Sequence, residues 1–499
     1  MPKHRQFLAP LTILMGIIVL AAAATWLVPA GKYNTLSYKD GRFIIDTYDS
    51  VITVPFTKAT ADSLGIQIPL IAFENGDISK PISIPGTYHQ LKKNPQGIIS
   101  ILKAPIKGIY ETIDIILFVL LLGAYINIFY ASGAIEKGIS RLCYKMKGRE
   151  TWLIVSMSFI FIAGGTAYGM DAEAMAFYPI LVPVFLAAGY DLLVPLAVIF
   201  MGTQIGQLSS ISNPFSTVIA SNILGINCIN GISERIIICI ITSFISIFYV
   251  VRYANKVKKN PERSIIYRMQ GNVQSPYPVG VIELNATRLD GRTKILLFLF
   301  AITFIIMITG VIFFGWWLLE MSTIFIAAAI IFGIVLKLPE KVFIEKFIAG
   351  AASLLGVSFI IGVSRGVTIV MNEGHISDTL LYQSSLLVGN MPPAMFIVML
   401  MSLYLVFTIF IASTSGMAVI TMPILGALAM MIGIQGKDTV NAYLFGLGIM
   451  NLISPVGLLL PSLALVNVSY SSWLKFVTPL LVILYVICGI FLVISVLMI

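Results

Sequence analysis

Long apolar runs separated by short polar segments dominate the chain. Five runs have the length of a membrane span: Phe7–Val28, Ile113–Tyr130, Ile236–Val251, Ile295–Phe314 and Phe476–Ile499. A transmembrane helix needs about 20 mostly apolar residues to cross a hydrocarbon core of roughly 30 Å. The runs are apolar all round, whereas membrane-spanning strands are short and alternate apolar with polar positions. The pattern predicts an all-α polytopic membrane protein, with residues 1–30 as its first transmembrane helix.

The composition agrees with a membrane protein and excludes several classes of function. Of the 499 residues, 58% are hydrophobic and 11% are charged, and the mean hydropathy is +0.95. The four cysteines and three histidines show neither disulfide nor metal-ligand spacing. The sequence contains no phosphate-binding loop, dinucleotide fingerprint or nucleophile elbow. We therefore expect no cofactor, no catalytic residue and no ATP-driven step.

The net charge of +9 is concentrated in two loop segments. One surrounds Arg141, and the other is residues 255–294. Positively charged loops of membrane proteins face the cytoplasm, so we interpret 255–294 as a basic cytoplasmic linker. Topology accounts for the charge, and we expect no nucleic-acid partner. The mixed-charge region 31–110 is then predicted to be an external loop or cap.

A block that is too long for one span and too broken for a plain helix follows the first basic segment. The block is residues 152–188. Three glycines and a proline interrupt its middle: Gly164, Gly165, Gly169 and Pro179. The basic segments before and after this block both fall in the cytoplasm only if the block enters and leaves the membrane on the cytoplasmic side. We therefore predict a re-entrant helical hairpin that faces the cytoplasm, with its tip at residues 164–173.

The next span is also interrupted. Pro214 lacks an amide hydrogen and disfavours helical geometry at Asn213. Backbone freed in this way is tolerated in a membrane only where it is buried in protein or lines a cavity. The serine and threonine hydroxyls around it favour a polar site over a simple proline kink.

The second half of the chain repeats this order of features. A second overlong block, residues 395–431, is interrupted at "ASTSGMA", and the span after it contains "GLGIMNLISPVG". An outward helix approaches this block, so its hairpin is predicted to face outside. Weak internal symmetry at this spacing is typical of transporter repeats. We predict inverted repeats at 111–254 and 341–499, with linking transmembrane helices at 295–340.

Several motifs resemble the YfcC-like and anaerobic C4-dicarboxylate carrier families of the ion transporter superfamily. They are "GGTAYGMDAEAMAFYPILVPVFLAAGYD", "SISNPF", "STSGMAVITMPIL" and "ISPVGLLLPSLALVNVSYSSWLKFVTPLL". The resemblance spans nearly the whole chain. It implies an elevator-type carrier, usually a homodimer, in which both hairpin tips and both interrupted helices line the substrate site.

Carried onto this chain, the implied site has four parts. The two tips contribute Gly165, Thr166, Gly169 and Glu173, and then Ser413, Thr414, Ser415 and Gly416. The two interrupted helices contribute Ser212, Asn213 and Pro214, and then Asn451, Ser454 and Pro455. A sodium ion near Ser212, Asn213 and Ser454 is a further expectation. The second interruption lacks the asparagine of the first, so the two halves do not offer a symmetric pair of cation sites.

Three charged side chains in apolar surroundings leave alternatives open. Asp171 precedes a helical segment, where a carboxylate suits a cap. Glu173 suits a substrate cation or a coupling proton as well as it suits support of the hairpin. Arg365 either extends to the membrane interface or clamps a substrate carboxylate.

These features predict a secondary active transporter, a symporter or antiporter, of small organic solutes in a bacterial-type inner membrane. Acidic residues at a tip favour amino acids, and among them basic ones, as substrates. The alternative is a C4-dicarboxylate or other organic anion, with sodium or a proton as the coupling ion. An intramembrane enzyme is a remote alternative, because no serine–lysine, aspartyl or zinc-ligand spacing supports it.

Overall fold

The computed structural model describes residues 10–498 apart from short gaps. The gaps are residues 48–49, 67, 75–80, 135–136, 139–140, 142–148, 271–289, 315, 317, 389–390 and 412. Residues 271–289 of the predicted linker 255–294 and part of the first basic segment therefore lie outside the described residues, as does Ala412 at the second predicted tip. The described part of the chain is mostly helical, with a small β region near its start.

Residues 31–90, which follow helix α1 (Pro10–Leu27), form a β cap. Its strands are β1 Gly31–Lys32, β2 Thr35–Lys39, β3 Arg42–Asp46, β4 Val51–Pro55, β5 Ile82–Ser83 and β6 His89–Gln90. The antiparallel order is β4-β3-β2-β5, and β1 pairs with β6. Two short helices, α2 (Lys58–Ser63) and α3 (Leu70–Glu74), complete the cap.

The all-α prediction is wrong for the cap, and the sequence carries the reason. Polar and apolar residues alternate along β2, which is the pattern of a half-buried strand. Asp40 and Gly41 both have positive φ and form the two-residue hairpin turn to β3. The fold is therefore mostly helical rather than all-α.

Aromatic side chains hold the cap together and fix it to the helices. Phe43 packs against Phe56 and Phe73, with ring centroids 4.8 and 5.2 Å apart. Outside this cluster, Tyr88 stacks on Tyr382, with ring centroids 4.1 Å apart and nearly parallel planes. The cap therefore has a small core of its own and a fixed position on the helical part.

A first series of helices follows the cap. Its members are α4 Ile98–Glu111, α5 Ile113–Tyr130, α6 Glu150–Tyr168, a 3-10 turn Glu173–Phe177, α7 Tyr178–Ala187, α8 Leu193–Leu208, α9 Ile219–Ile223 and α10 Ile232–Lys259. A π-helical turn, Pro214–Val218, precedes α9. A further 3-10 turn, Pro261–Arg263, and α11 (Ile265–Gln270) follow α10. The predicted start of the first repeat, residue 111, is the last residue of α4.

A second series has the same order. Helices α12 (Gly291–Phe314) and α13 (Leu318–Val335) lead into it. Its members are α14 Glu340–Ser353, α15 Leu355–Glu373, α16 Ser377–Val388, α17 Pro393–Phe410, α18 Thr414–Met431, α19 Gly436–Asn451, α20 Leu459–Val466 and α21 Tyr470–Leu497. The first two helices have 14 and 18 residues in one series and 14 and 19 in the other. The last helix has 28 residues in both.

Nine helices within the described ranges are long and apolar enough to cross a membrane. They lie in α1, α5, α6, α10, α13, α15, α17, α18 and α21. The prediction of a multi-pass membrane protein is confirmed.

Glycines let the two series cross closely. A methyl group added to Gly108 of α4 would lie 2.1 Å from the carbonyl oxygen of Gly362 in α15, and one added to Gly350 of α14 would lie 2.5 Å from that of Gly123 in α5. Only glycine permits this approach of two backbones. Glu111 and Arg365 follow the first pair of glycines by one helical turn each, so the crossing places them together.

Candidate functional site

The first predicted tip lies where α6 ends. Gly169 has φ 81° and follows the last helical residue, Tyr168. Its amide donates to the carbonyl oxygen of Gly165 at 3.2 Å, and the Met170 amide donates to that of Gly164 at 3.2 Å. The helix therefore ends in a left-handed cap, and the chain turns before the 3-10 segment.

Hydrogen bonds join this tip to the interruption after α8. Thr166 Oγ1 donates to the carbonyl oxygen of Ser209 at 3.0 Å and accepts from the Ile211 amide at 3.0 Å. Ser212 Oγ donates to the carbonyl oxygen of Ala167 at 2.9 Å. Backbone groups freed at the interruption are thus satisfied by the tip, as membrane burial requires.

Asn213 lies at the centre of the same junction. Its side chain is 3% exposed, and its Oδ1 accepts from the Phe215 amide at 2.8 Å, one residue past Pro214. A methyl group added to Gly169 would lie 2.4 Å from the Asn213 Nδ2. Asn213 therefore caps the helical turn that follows it and packs directly on the tip.

The second tip has a related construction. Ser413 precedes α18, and its Oγ accepts from the Gly416 amide at 3.1 Å and lies 3.5 Å from the Ser415 Oγ. Tyr443 of α19 donates its hydroxyl to the carbonyl oxygen of Thr414 at 2.8 Å. The helix start is capped, and the tip is fixed to the second interrupted helix.

The second interruption lies between α19 and α20, after Asn451. Ser454 is 2% exposed, and its Oγ lies 3.4 Å from the carbonyl oxygen of Thr408. Trp473 Nε1 donates to the freed carbonyl oxygen of Leu452 at 2.7 Å. Pro455 continues the non-helical stretch. Neighbouring helices therefore satisfy the interrupted backbone here as well.

A central cavity of about 300 Å³ lies between these elements. Its described lining comes from the α4–α5 junction, the first tip, α8, α15, the second tip and the second interruption. These residues are Glu111, Thr112, Asp114, Ile115, Asp171, Phe200, Gln204, Ile361, Ser364, Arg365, Ser413, Thr414, Asn451, Val456, Gly457 and Leu458. A pocket of this size, with few charged groups among apolar ones, is suited to a small solute.

Carboxylates outnumber cations in the described lining of the cavity. Glu111, Asp114 and Asp171 are acidic, and Arg365 is basic. The Arg365 Nε lies 2.7 Å from the Glu111 Oε2. After this pair is formed, two carboxylates remain without a neutralising cation among the lining residues. The cavity is therefore electronegative.

Asp171 and Glu173 lie in different surroundings. Asp171 lines the cavity, and its Oδ1 accepts from the Gln204 Nε2 at 3.0 Å. Glu173 is 6% exposed, is not among the described lining residues, and accepts the Asp171 amide hydrogen on Oε2 at 3.0 Å. Of the two carboxylates, Asp171 is therefore the one that faces the cavity, and Glu173 holds the backbone of the tip.

The predicted site residues divide into two groups. The described lining of the cavity includes Ser413, Thr414, Asn451 and Arg365. The others support the junctions behind it or lie beside it: Gly165, Thr166, Gly169, Glu173, Ser212, Asn213, Pro214, Ser415, Gly416, Ser454 and Pro455. The Ser212 hydroxyl and the Asn213 Oδ1 are engaged in the hydrogen bonds above, and sodium binding near these residues and Ser454 stays a prediction.

Sequence reasoning missed Glu111, Asp114 and Gln204. The first two lie in the segment "YETID". Glu111 ends α4 and Asp114 lies in the first turn of α5, so this segment is a junction of two helices and not part of an external loop. Gln204 lies in an apolar helix, and a lone polar residue there is more often a helix–helix contact. Only the tertiary fold brings it to Asp171.

The chain is similar over almost its whole length to known carriers. The family described as C4-dicarboxylate anaerobic carrier, DcuC, matches residues 8–497. An uncharacterized protein of Haemophilus influenzae is 38% identical over 99% of this chain and 98% of its own length. The Escherichia coli protein named "Putative basic amino acid antiporter YfcC" is 26% identical over 95% of this chain and 94% of its own length. The resemblance seen in the motifs is confirmed.

Two solved structures also align with the chain. One is the YdaH transporter of Alcanivorax borkumensis, with 13% identity, a TM-score of 0.39 and coverage of 97% of both chains. The other is MtrF of Neisseria gonorrhoeae, from a class of antimetabolite efflux pumps, with 14% identity and a TM-score of 0.38. That alignment covers 99% of this chain and 96% of MtrF.

Proposed function

Because the chain belongs to the C4-dicarboxylate anaerobic carrier family and is thus a membrane transporter rather than an enzyme, we propose that it is a secondary active carrier of cationic amino acids. The substrate binds in the central cavity. The observation that carries the proposal is the excess of carboxylates over cations in the described lining. Of these carboxylates Asp171 is the partly buried one, and a buried charge is costly unless a partner neutralises it.

A substrate with an extra ammonium or guanidinium group supplies that partner. Its cationic end contacts Asp171, whose second carboxylate oxygen is not used by the Gln204 bond. Gln204 lines the same cavity, and its Nε2 holds the Asp171 carboxylate in position for this contact. Charge-assisted bonds of this kind are the stronger ones in a protein interior. The name of the relative YfcC agrees with a basic amino acid.

A C4-dicarboxylate is the second candidate, because the family description names it. Arg365 is the residue that would bind a substrate carboxylate. Its Nε is already paired with Glu111, and Asp114 and Asp171 would repel a dianion in the same cavity. These charges support a cationic substrate over an anionic one.

Alternating access follows from the two matched series of helices. We interpret them as inverted repeats, in which the hairpins and interrupted helices move as one body against the other helices, as in an elevator. Support comes from the hydrogen bonds that join the first tip to the first interruption and from the packing of α8 on α19. Sodium or a proton is the expected coupling ion, and a homodimer is the expected assembly.

Inversion of the repeats predicts labelling from opposite sides. Ala188 follows α7 and is half-buried, and Gln435 precedes α19 and is exposed. On a background without the four native cysteines, Ala188→Cys should react with an impermeant thiol reagent from the cytoplasmic side. Gln435→Cys should react from outside, as should a control cysteine at the exposed Lys39 of the cap. Reaction of both hairpin positions from one side would contradict the inversion.

Equilibrium binding of labelled arginine to the purified protein tests the substrate class. We expect saturable binding that excess lysine or ornithine displaces and that succinate does not, because the cavity requires a cation. A matched titration with labelled succinate is the control. Saturable succinate binding that arginine leaves unchanged would contradict the proposal and favour the Arg365 clamp.

A further inference from the structure

A second cavity lies between the β cap and the helices, and we call it the cap chamber. Its volume is about 380 Å³. The cap supplies its roof through β1, β5 and the residues next to them. Helices α15, α16 and α18, and the residues next to them, supply the rest. The chamber is large enough for a small solute.

The cap chamber adjoins the central cavity. Arg365 and Ser413 line both of them. On α15, Arg365, Thr368 and Asn372 recur at the three- and four-residue spacing of one helix face and line the chamber. Ser364, which directly precedes Arg365, lines the central cavity. A strip of polar groups on α15 therefore runs from the cap to the central cavity.

Charges of both signs occur at the cap end of the chamber. Lys32 lies on β1, and Asp378 lies in the first turn of α16. The Tyr33 amide donates to the Asp378 Oδ2 at 3.0 Å, which leaves the Oδ1 for another donor. Lys32 has one ion pair, with Asp46 at 3.6 Å, between side chains that are 34% and 50% exposed. Such a pair is weak and leaves the ammonium group able to turn into the chamber.

Asp378 is well placed to hold a cation. Burial raises the pKa of its carboxyl group, while the Tyr33 amide, Lys32 and the histidines at 375 and 89 act in the opposite direction. Its charge is therefore poorly solvated and gains from a donor that enters the chamber.

We propose that the cap chamber is a second binding site for the amino acid, occupied on its way between the outer solution and the central cavity. The α-carboxylate faces Lys32 and the α-ammonium faces Asp378, which are neighbouring groups of opposite sign at the cap end of the chamber, as the two α-groups are neighbours in an amino acid. A dicarboxylate would lack a cation for Asp378. This inference rests on the proposed function, because both sites bind the same class of molecule.

The number of arginines bound per chain tests the inference. Equilibrium dialysis of the purified protein should give about two arginines per chain at saturation. Lys32→Gln and Asp378→Asn should each lower the number to about one by removing the cap-chamber site. The Asn variant still accepts the Tyr33 amide hydrogen. Lys39→Gln, at the exposed end of β2 in the same cap, is the matched control and should keep about two.

Other results separate the two proposals. The unaltered chain could instead bind a single arginine. If Lys32→Gln and Asp378→Asn still bind it and Asp171→Asn does not, the binding site in the cap chamber is overturned and the central site is kept. No saturable arginine binding to the unaltered chain would overturn both.

A second measurement does not depend on the Lys32 and Asp378 variants. Ser377 lines the cap chamber and is half-buried. In an Asp171→Asn background, arginine should slow the reaction of Ser377→Cys with a thiol reagent, because the ligand still occupies the chamber. A rate that arginine does not change would overturn the inference.

Discussion

Replacement of Asp171 with Asn should lower kcat/KM for arginine uptake by about 100-fold or more, because a buried charge-assisted contact with the substrate is lost. Asn retains an acceptor for the Gln204 Nε2, which lies 3.0 Å from the carboxylate. The variant should therefore fold and reach the membrane. Uptake into proteoliposomes, normalised to the amount of reconstituted protein, measures the effect.

Glu173→Gln is the matched control for this prediction. It changes a neighbouring buried carboxylate by the same single charge, but this side chain accepts the Asp171 amide hydrogen and is outside the described lining of the cavity. Gln can accept the same hydrogen, so uptake should stay within about threefold of the unaltered chain. A larger loss in Glu173→Gln than in Asp171→Asn would reverse the two assignments.

Gly169→Ala should lower arginine uptake about tenfold or more, because the junction behind the cavity cannot accept the added methyl group. This group would lie 2.4 Å from the Asn213 Nδ2, and the backbone at residue 169 has φ 81°. Asn213 would have to leave the tip, and with it the cap on the turn that starts at Pro214. We expect the free energy of unfolding to fall by about 2–4 kcal/mol in total.

Gly433→Ala separates backbone strain from the contact with Asn213. Gly433 has φ 87°, and a methyl group there meets no atom within 4 Å. This variant should lose only about 1–2 kcal/mol, the cost of a left-handed residue, and should transport normally. Thermal unfolding in detergent and uptake in proteoliposomes compare the pair. If the two substitutions had equal effects on unfolding and uptake, the contact between Gly169 and Asn213 would have no effect beyond backbone strain.

The membrane class could be predicted because its signal is local. Runs such as Ile113–Tyr130 are long and apolar enough that no tertiary information is needed. Helix α4 was missed because Lys103, Lys107 and Glu111 make its sequence too polar for a span, although it packs along α15. The first hairpin of the cap could have been predicted, because Asp-Gly at residues 40 and 41 is typical of a two-residue turn between strands.

The breaks in the helices at the site could be predicted from the sequence more fully than the positions of its charged side chains. Both interruptions are visible from Pro214 and Pro455, since proline acts on the residues next to it. Glu111 and Arg365 are far apart in sequence, and only the crossing of two glycine-lined helices brings them to 2.7 Å. Asp171 and Glu173 are two positions apart, so the turn between them decides which side chain faces the cavity.

Uptake of labelled arginine into liposomes that contain the purified chain tests the central claim most directly. The account predicts saturable uptake that is inhibited by lysine or ornithine, is unaffected by excess succinate, and is lost in Asp171→Asn. Empty liposomes and the Glu173→Gln variant provide the baseline and the matched control. Saturable uptake of succinate that arginine does not inhibit, together with no arginine uptake above the empty liposomes, would contradict the account.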